Sequence, residues 1–363
     1  MGADRREARQ TALRERVAGL GLDGLLVQSL PNVRYLTGFT GSSALLLLRP
    51  EDAVLVTDFR YAAQAPLEVG PSARVAIDQV NVWTRLGRVL GEQPGAVIGF
   101  EAHIATVRER ERLDGLNGAC RFEPTSDLVE ALRAVKDPDE VAAIRAAAHL
   151  AGEALSETLP GVRAGESELE VAARLEAALR RRHSEWHPFQ TIVASGPRSA
   201  LPHARTTERT IERGDWLLLD FGAQVDGYCA DLTRTVVVGA RANERQRMVY
   251  DVVRQAQRRA LDQLHAGLTG REGDALAREV ITRHGYGEAF GHSLGHGLGL
   301  EVHEAPRLAT TAEAVLPEGA VVTVEPGIYL PAWGGVRLED DVLLGPAGAT
   351  LLSDNRVELM ELV

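Results

Sequence analysis

Short apolar runs separated by turn residues fill the first third of the chain. DGLLVQS (23–29), SALLLL (43–48), DAVLVTD (52–58) and GAVIGFE (95–101) each read as a β-strand. A charged surface helix over 5–19 precedes them, and helical stretches such as 106–116 alternate with them, which predicts an α/β domain ending near Pro124. The period then lengthens. Asp137 caps a helix with Pro138 at its first position and Gly161 beyond its end. A Ser167/Glu170 capping box opens a second helix. From Trp216 the pattern changes to paired strands, followed by helices over 243–266 and 272–284, a glycine-rich segment and further strands. The expectation is an α+β chain of two domains, 1–130 and 131–363, without tandem repeats or a low-complexity linker.

Composition narrows the class. With 45% hydrophobic and 25% charged residues, collagen-like, coiled-coil and mostly disordered readings fall away. A chain of 363 residues buries roughly 75% of its unfolded surface and has a prior of about two domains. A net charge of −11 argues against a nucleic-acid partner. Lys136 is the only lysine among 40 basic residues and has no phosphate-loop pattern around it, so lysine chemistry has no credible site. Two cysteines, Cys120 and Cys229, form neither a disulfide framework nor a four-cysteine zinc site. The charged N-terminal segment has no apolar core for secretion, and Arg6 stands where a myristoylation signal requires Ser or Thr. No early apolar stretch approaches a membrane span. These features predict a cytoplasmic protein with no membrane partner.

The chemistry concentrates in the second domain. In WLLLDFGAQVDGYCADLTRTVVV (216–238), Asp226-Gly227 is a hairpin signal. A turn there sets Asp231 opposite Gly222 and diagonal to Asp220, roughly 7–8 Å apart at Cα and on one face. An aspartate inside an apolar strand is costly without a cation beside it. The plain alternative is that one aspartate pairs with Arg234 and the other faces water. GHSLGHGLGLEVHEAPRL (291–308) then gathers His292, His296 and His303, three of the ten histidines, among glycines. Glu325 in VVTVEPGIYL and Glu339 in GGVRLEDDVLL complete four strand-borne acids. Four negative charges and one imidazole nitrogen match two divalent cations, Mn²⁺, Co²⁺, Fe²⁺ or Zn²⁺. Such a pair holds a bridging hydroxide at neutral pH, as in a dinuclear hydrolase.

At these five positions the sequence resembles the pita-bread metallopeptidase family, in its proline-specific branch of aminopeptidase P and Xaa-Pro dipeptidase (prolidase). HSLGHGLGLEVHE matches the branch's histidine signature. LDFGAQVDGYCADLTRT, TVEPGIY and VRLEDD match its carboxylate motifs in order. NVRYLTGFTGSSALLLL and LVTDFRYAAQA are similar to the creatinase-type N-terminal domain.

The resemblance implies that Asp220 chelates one metal, Asp231 and Glu339 bridge both, and His296 and Glu325 complete the second. It places His203 near the scissile bond as an oxyanion stabiliser. His292 and His303 line the substrate pocket as hydrogen-bonding or proton-transfer groups. Arg337 holds a metal-bridging carboxylate from behind. Tyr329 is read as core more often than pocket, and Cys229 as packing. Arg307 matches a position where some prolidases hold the carboxylate of a dipeptide's proline, as a guanidinium fork does well.

The implied reaction is hydrolysis of the Xaa-Pro bond by a metal-bridging hydroxide, with a dipeptidase placed ahead of a compact aminopeptidase P acting on longer peptides. A non-catalytic peptide-binding relative is the remote alternative, disfavoured because all five ligands are present. Methionine aminopeptidase shares the ligands but usually lacks the N-terminal domain. Creatinase-type enzymes lack the complete ligand set. The family also implies a homodimer, in which Tyr35, Phe39 or Trp83 could reach a pocket, although packing is the simpler role for each.

Overall fold

The computed structural model describes residues 3–92, 94–116, 120–353 and 358–363. Met1 and Gly2, read above as carrying no acylation signal, lie outside them. The chain forms two compact units, Met1–Arg133 and Ala134–Val363.

The first unit is built on a six-stranded sheet. Its strands are β1 (Gly24–Val27), β2 (Ala44–Leu48), β3 (Ala53–Asp58), β4 (Arg74–Asp78), β5 (Ala96–Glu101) and β6 (Cys120–Thr125), in the order β4-β3-β2-β1-β5-β6. Every residue of β1, β2 and β3 is buried, as continuous apolar runs require. β4 and the helix Leu30–Thr37 carry weaker patterns and lie outside the predicted elements. Tyr35 and Phe39 are buried within this unit: the Arg9 guanidinium lies 3.9 Å over the Tyr35 ring, and Phe39 meets Tyr61 edge-on at 5.3 Å. Trp83 packs against the sheet's core.

The second unit holds the chemistry between layers. β7 (Ile192–Ser195), β8 (Trp216–Val225) and β9 (Tyr228–Val238) form an antiparallel sheet. β10 (Gly295–Gly297), β11 (Glu304–Leu308), β12 (Val321–Val324), β15 (Asp340–Gly345) and β16 (Gly348–Leu351) form a second, ordered β11-β10-β12-β15-β16. β13 (Gly327–Leu330) and β14 (Gly334–Arg337) make a separate hairpin, and β17 (Glu361–Leu362) joins the edge of β9. Asp137 caps the helix Pro138–Thr158, and the Ser167/Glu170 capping box opens Glu168–Arg181. Asp226 and Gly227, with φ of 50° and 80°, make the two-residue turn between β8 and β9.

Strand alternation separates core from site. Leu217, Leu219, Phe221 and Ala223 of β8, with Ala230, Leu232 and Val236 of β9, pack on the helices Pro138–Thr158 and Glu168–Arg181. Burying each large apolar side chain contributes roughly 1.5–3 kcal/mol, which offsets the cost of the acids on the opposite face. A second core lies between the helices Glu244–Gln263 and Gly270–Arg283 and the five-stranded sheet, around Val249, Val253, Ile281, Val322 and Val342.

Candidate metal centre

Register assembles the site. In the β8–β9 hairpin Gly222 stands opposite Asp231 and Asp220 opposite Thr233. A backbone bridge then joins Thr233 to Glu339. Asp220, Thr233 and Glu339 therefore lie in one row, with Asp231 two positions along the same face. The glycine opposite Asp231 is needed there, because a Cβ on Gly222 would sit 2.2 Å from the Ala230 carbonyl. The other two donors arrive from the second sheet. Thr323 accepts the His296 amide at 3.1 Å and donates to Glu325 Oε1 at 3.3 Å, tying the two to each other.

The donors converge. One ligand atom from each of Asp231, His296 and Glu339 lies within 4.8 Å of the others. His296 Nε2 stands 3.7 Å from Asp231 and 3.5 Å from Glu325. Its Nδ1 donates to the Gly297 carbonyl at 3.1 Å, which leaves the Nε2 lone pair free for a cation. Burial, followed by the charges of Glu339, Asp220 and Glu325, holds Asp231 well above the ordinary carboxylate range. Glu325 is raised in the same way, and burial with the Asp220 charge pushes Glu339 up to about 8. Burial pushes His296 down to about 4, so its ring is neutral at physiological pH. Asp220 Oδ1 and Asp231 Oδ1 are buried with no hydrogen-bond partner. Four mutually repelling acids, three buried and Glu325 partly so, two orphaned oxygens and one aimed imidazole nitrogen fit divalent cations and oxygen-rich ligation. In the first unit His103, Asp127 and Glu130 also cluster, but two of the three are exposed and Glu130 already accepts from Asn32 at 2.6 Å.

A ring of supporting residues surrounds the donors. Arg337 Nη2 donates to Asp220 at 2.5 Å, not to Asp231 or Glu339 as the resemblance implied. It reaches Glu339 only indirectly, through Nε to Thr233 at 3.0 Å and Thr233 Oγ1 to Glu339 at 2.5 Å. Thr233 is not among the predicted site residues; its sequence signal is its position two residues beyond Asp231 on the same strand face. Asp341, likewise not among them, accepts the Asp231 amide at 3.1 Å. Arg234 pairs with Asp340 at 2.7 Å, and the register sets it beside Leu219, on the face away from both predicted ligands. The plain alternative of an Arg234 pair with either aspartate is thereby removed.

The predicted histidines separate by environment. His203 and His303 are exposed, and His303 stacks edge-on against His296 at 4.3 Å. His292 is engaged at both nitrogens: Nδ1 donates to the Ser293 carbonyl at 2.8 Å and Nε2 accepts from the Tyr329 hydroxyl at 2.9 Å. Burial pushes it down to about 4, so it serves as a fixed neutral acceptor. Tyr329, read as core from sequence, also takes a 2.7 Å bond from Arg337 and joins His292 to Asp220 through that guanidinium. Arg307 stands opposite His296 across β10 and β11, exposed, with no side-chain partner among the described residues. Cys229 is buried, and burial pushes its thiol up to about 12, as suits packing.

Paired strands with a carboxylate–imidazole centre on their inner face, in a chain that also holds a separate α/β domain, define a two-domain metallopeptidase. Residues 142–346 match metallopeptidase family M24, and residues 9–135 match the creatinase/prolidase N-terminal domain. The chain belongs to family M24, with the pita-bread catalytic fold, and is a prolidase-type peptidase. It is 36% identical to an Xaa-Pro dipeptidase of Pyrococcus horikoshii, covering 93% of this chain and 95% of that protein. A solved Xaa-Pro dipeptidase from Bacillus anthracis superposes with a TM-score of 0.93 at 40% identity, covering 98% of this chain and 99% of that one. An X-Pro aminopeptidase from Thermotoga maritima gives 0.89 at 37%, covering 97% and 99%. No helix among the described residues is long and apolar enough to cross a membrane.

Proposed function

We propose that this peptidase is an Xaa-Pro dipeptidase whose centre holds two divalent ions, Mn²⁺, Co²⁺, Zn²⁺ or Fe²⁺, on Asp220, Asp231, His296, Glu325 and Glu339. The observation that carries the dipeptide assignment is Arg307. Its exposed, uncommitted guanidinium stands in register with His296, where the free carboxylate of a short substrate would end. Proline's nitrogen has no hydrogen, so the Xaa-Pro bond resists peptidases that hold that N–H. Bound ions would supply Lewis acidity to the carbonyl under attack and lower the pKa of water.

The chain's own residues do the rest. His203 binds substrate and stabilises the developing oxyanion, and His303 moves a proton at the exposed edge. Arg337 offsets the Asp220 charge and, with Tyr329, fixes the acceptor nitrogen of His292. The remainder of the chain from 131 onward forms the catalytic domain, and we expect it to act as a homodimer. Its two buried free cysteines suit the reducing cytoplasm.

The aminopeptidase P reading stands second, supported by the Thermotoga maritima relative. Metal-loaded protein assayed on an Xaa-Pro dipeptide and an Xaa-Pro-Yaa tripeptide separates the two. Dipeptide cleavage alone is expected, whereas preferential tripeptide cleavage would transfer the assignment to aminopeptidase P.

A further inference from the structure

We propose that Glu168 is a positioning residue for His203: its carboxylate grips both ends and the middle of the loop that carries this histidine. The inference rests on the reading of His203 as a substrate-facing group. Glu168 opens the helix Glu168–Arg181, and its side chain has no exposed surface. Oε1 accepts the Ser195 amide at 2.8 Å and the Ser195 hydroxyl at 2.9 Å. Oε2 accepts the Thr207 amide at 3.0 Å and its hydroxyl at 2.8 Å. Arg198 Nε reaches both oxygens at 3.2 Å. Ser195 ends β7, whose partner strand carries Asp220 opposite Ile192, so the clamp is continuous with the metal-side register.

Between these anchors the chain has only a short 3₁₀ turn, Gly196–Ala200, and single-turn bonds such as Ala204 to Leu201 at 3.2 Å. A segment with so few backbone bonds of its own takes its position from what holds it. On the site side, Arg337 Nη1 donates to the Pro202 carbonyl at 3.2 Å with the guanidinium that also holds Asp220. His203 follows directly, exposed. Thr206 Oγ1 also ties the loop to β7, accepting the Val193 amide at 2.9 Å and donating to the Thr191 carbonyl at 3.0 Å, and the Ser199 hydroxyl accepts the Gly335 amide at 2.8 Å. Glu168 behind the loop joins its two ends, and Arg337 holds it from the site side. A carboxylate needed only to fill a core would not gather five donors from three positions along one loop.

The test compares Glu168→Gln and Glu168→Asp with the parent in the metal-loaded enzyme, by Xaa-Pro dipeptide kinetics and by hydrogen exchange. Glutamine keeps the shape but turns an NH₂ toward one set of donors. Exchange should accelerate across 195–207, the two anchoring amides included, and not elsewhere. The kcat should fall about ten- to a hundredfold with KM little changed, as for a displaced catalytic group. On a His203→Ala background, Glu168→Gln should cost no further rate, because both act through one side chain. Unchanged exchange in that loop, or rate losses that multiply in the double variant, would overturn the proposal. Thr207→Val, which deletes one donor and spares the carboxylate, should reproduce the pattern more weakly if the Glu168 variants fold poorly. If no Xaa-Pro peptide is cleaved at all, the functional reading fails, while the exchange result still decides whether Glu168 holds the loop.

Discussion

Asp231 combines three properties that no surface acid has: it is buried, burial and four neighbouring carboxylates raise it, and one of its oxygens is orphaned. Asp231→Asn keeps the size and removes the charge. It should lower kcat by about a thousandfold or more through loss of metal-based stabilisation, with the circular dichroism spectrum preserved. Turnover at the parental rate in a folded variant contradicts the assignment. If Arg307 holds the free carboxylate as proposed, Arg307→Ala should raise KM for a dipeptide about 10–100-fold. A tripeptide, whose carboxylate lies one residue further on, should be affected much less. The acids stood out as charges within strand patterns, and His296 as one of three histidines gathered among glycines. Thr233 was marked only by its place two residues beyond Asp231 on the same strand face, and the role of Tyr329 not at all, since a hydroxyl on a strand looks ordinary until its partners are known.

The hairpin is the element on which the centre depends. Gly222→Ala would drive a methyl into the Ala230 carbonyl and the Pro188 ring, at 2.2 Å and 2.5 Å. Overpacking of this kind costs about 1–3 kcal/mol, and urea unfolding should show that loss together with weakened metal affinity. A variant as stable as the parent would mean that the two strands have slack the structure does not show. The turn, its register and the capped helices were readable because their signals are local: Asp226-Gly227, Asp137-Pro138, Ser167 with Glu170. The bridge from Thr233 to Glu339 was not readable, because it joins segments far apart in sequence through backbone atoms alone. β4, with no apolar alternation strong enough to mark it, was hidden for a different reason.

At the scale of the molecule, the centre makes stability depend on both pH and metal. Burial and the Asp220 charge place the folded-state value for Glu339 at about 8, well above its ordinary 4.5. A raised carboxylate contributes stability that is fully present below about 4.5 and is lost as pH rises through about 8. Metal-stripped protein should therefore melt at a lower temperature at pH 8 than at pH 6. Metal binding requires deprotonated ligands, so the loaded protein should show this loss abolished or reversed. Equal pH slopes with and without metal would show that the acids do not form one cation site. Two domains were legible from the switch in period along the chain, whereas the sheet orders come from long-range pairing that no local pattern encodes.

The most direct measurement is a titration of metal-stripped protein with Mn²⁺, followed simultaneously by bound-metal stoichiometry and hydrolysis of an Xaa-Pro dipeptide. Binding should saturate at two ions per chain, with hydrolysis rising to a plateau at saturation. Saturated protein that leaves the dipeptide intact, or full activity with a single ion bound, would contradict a two-ion Xaa-Pro dipeptidase.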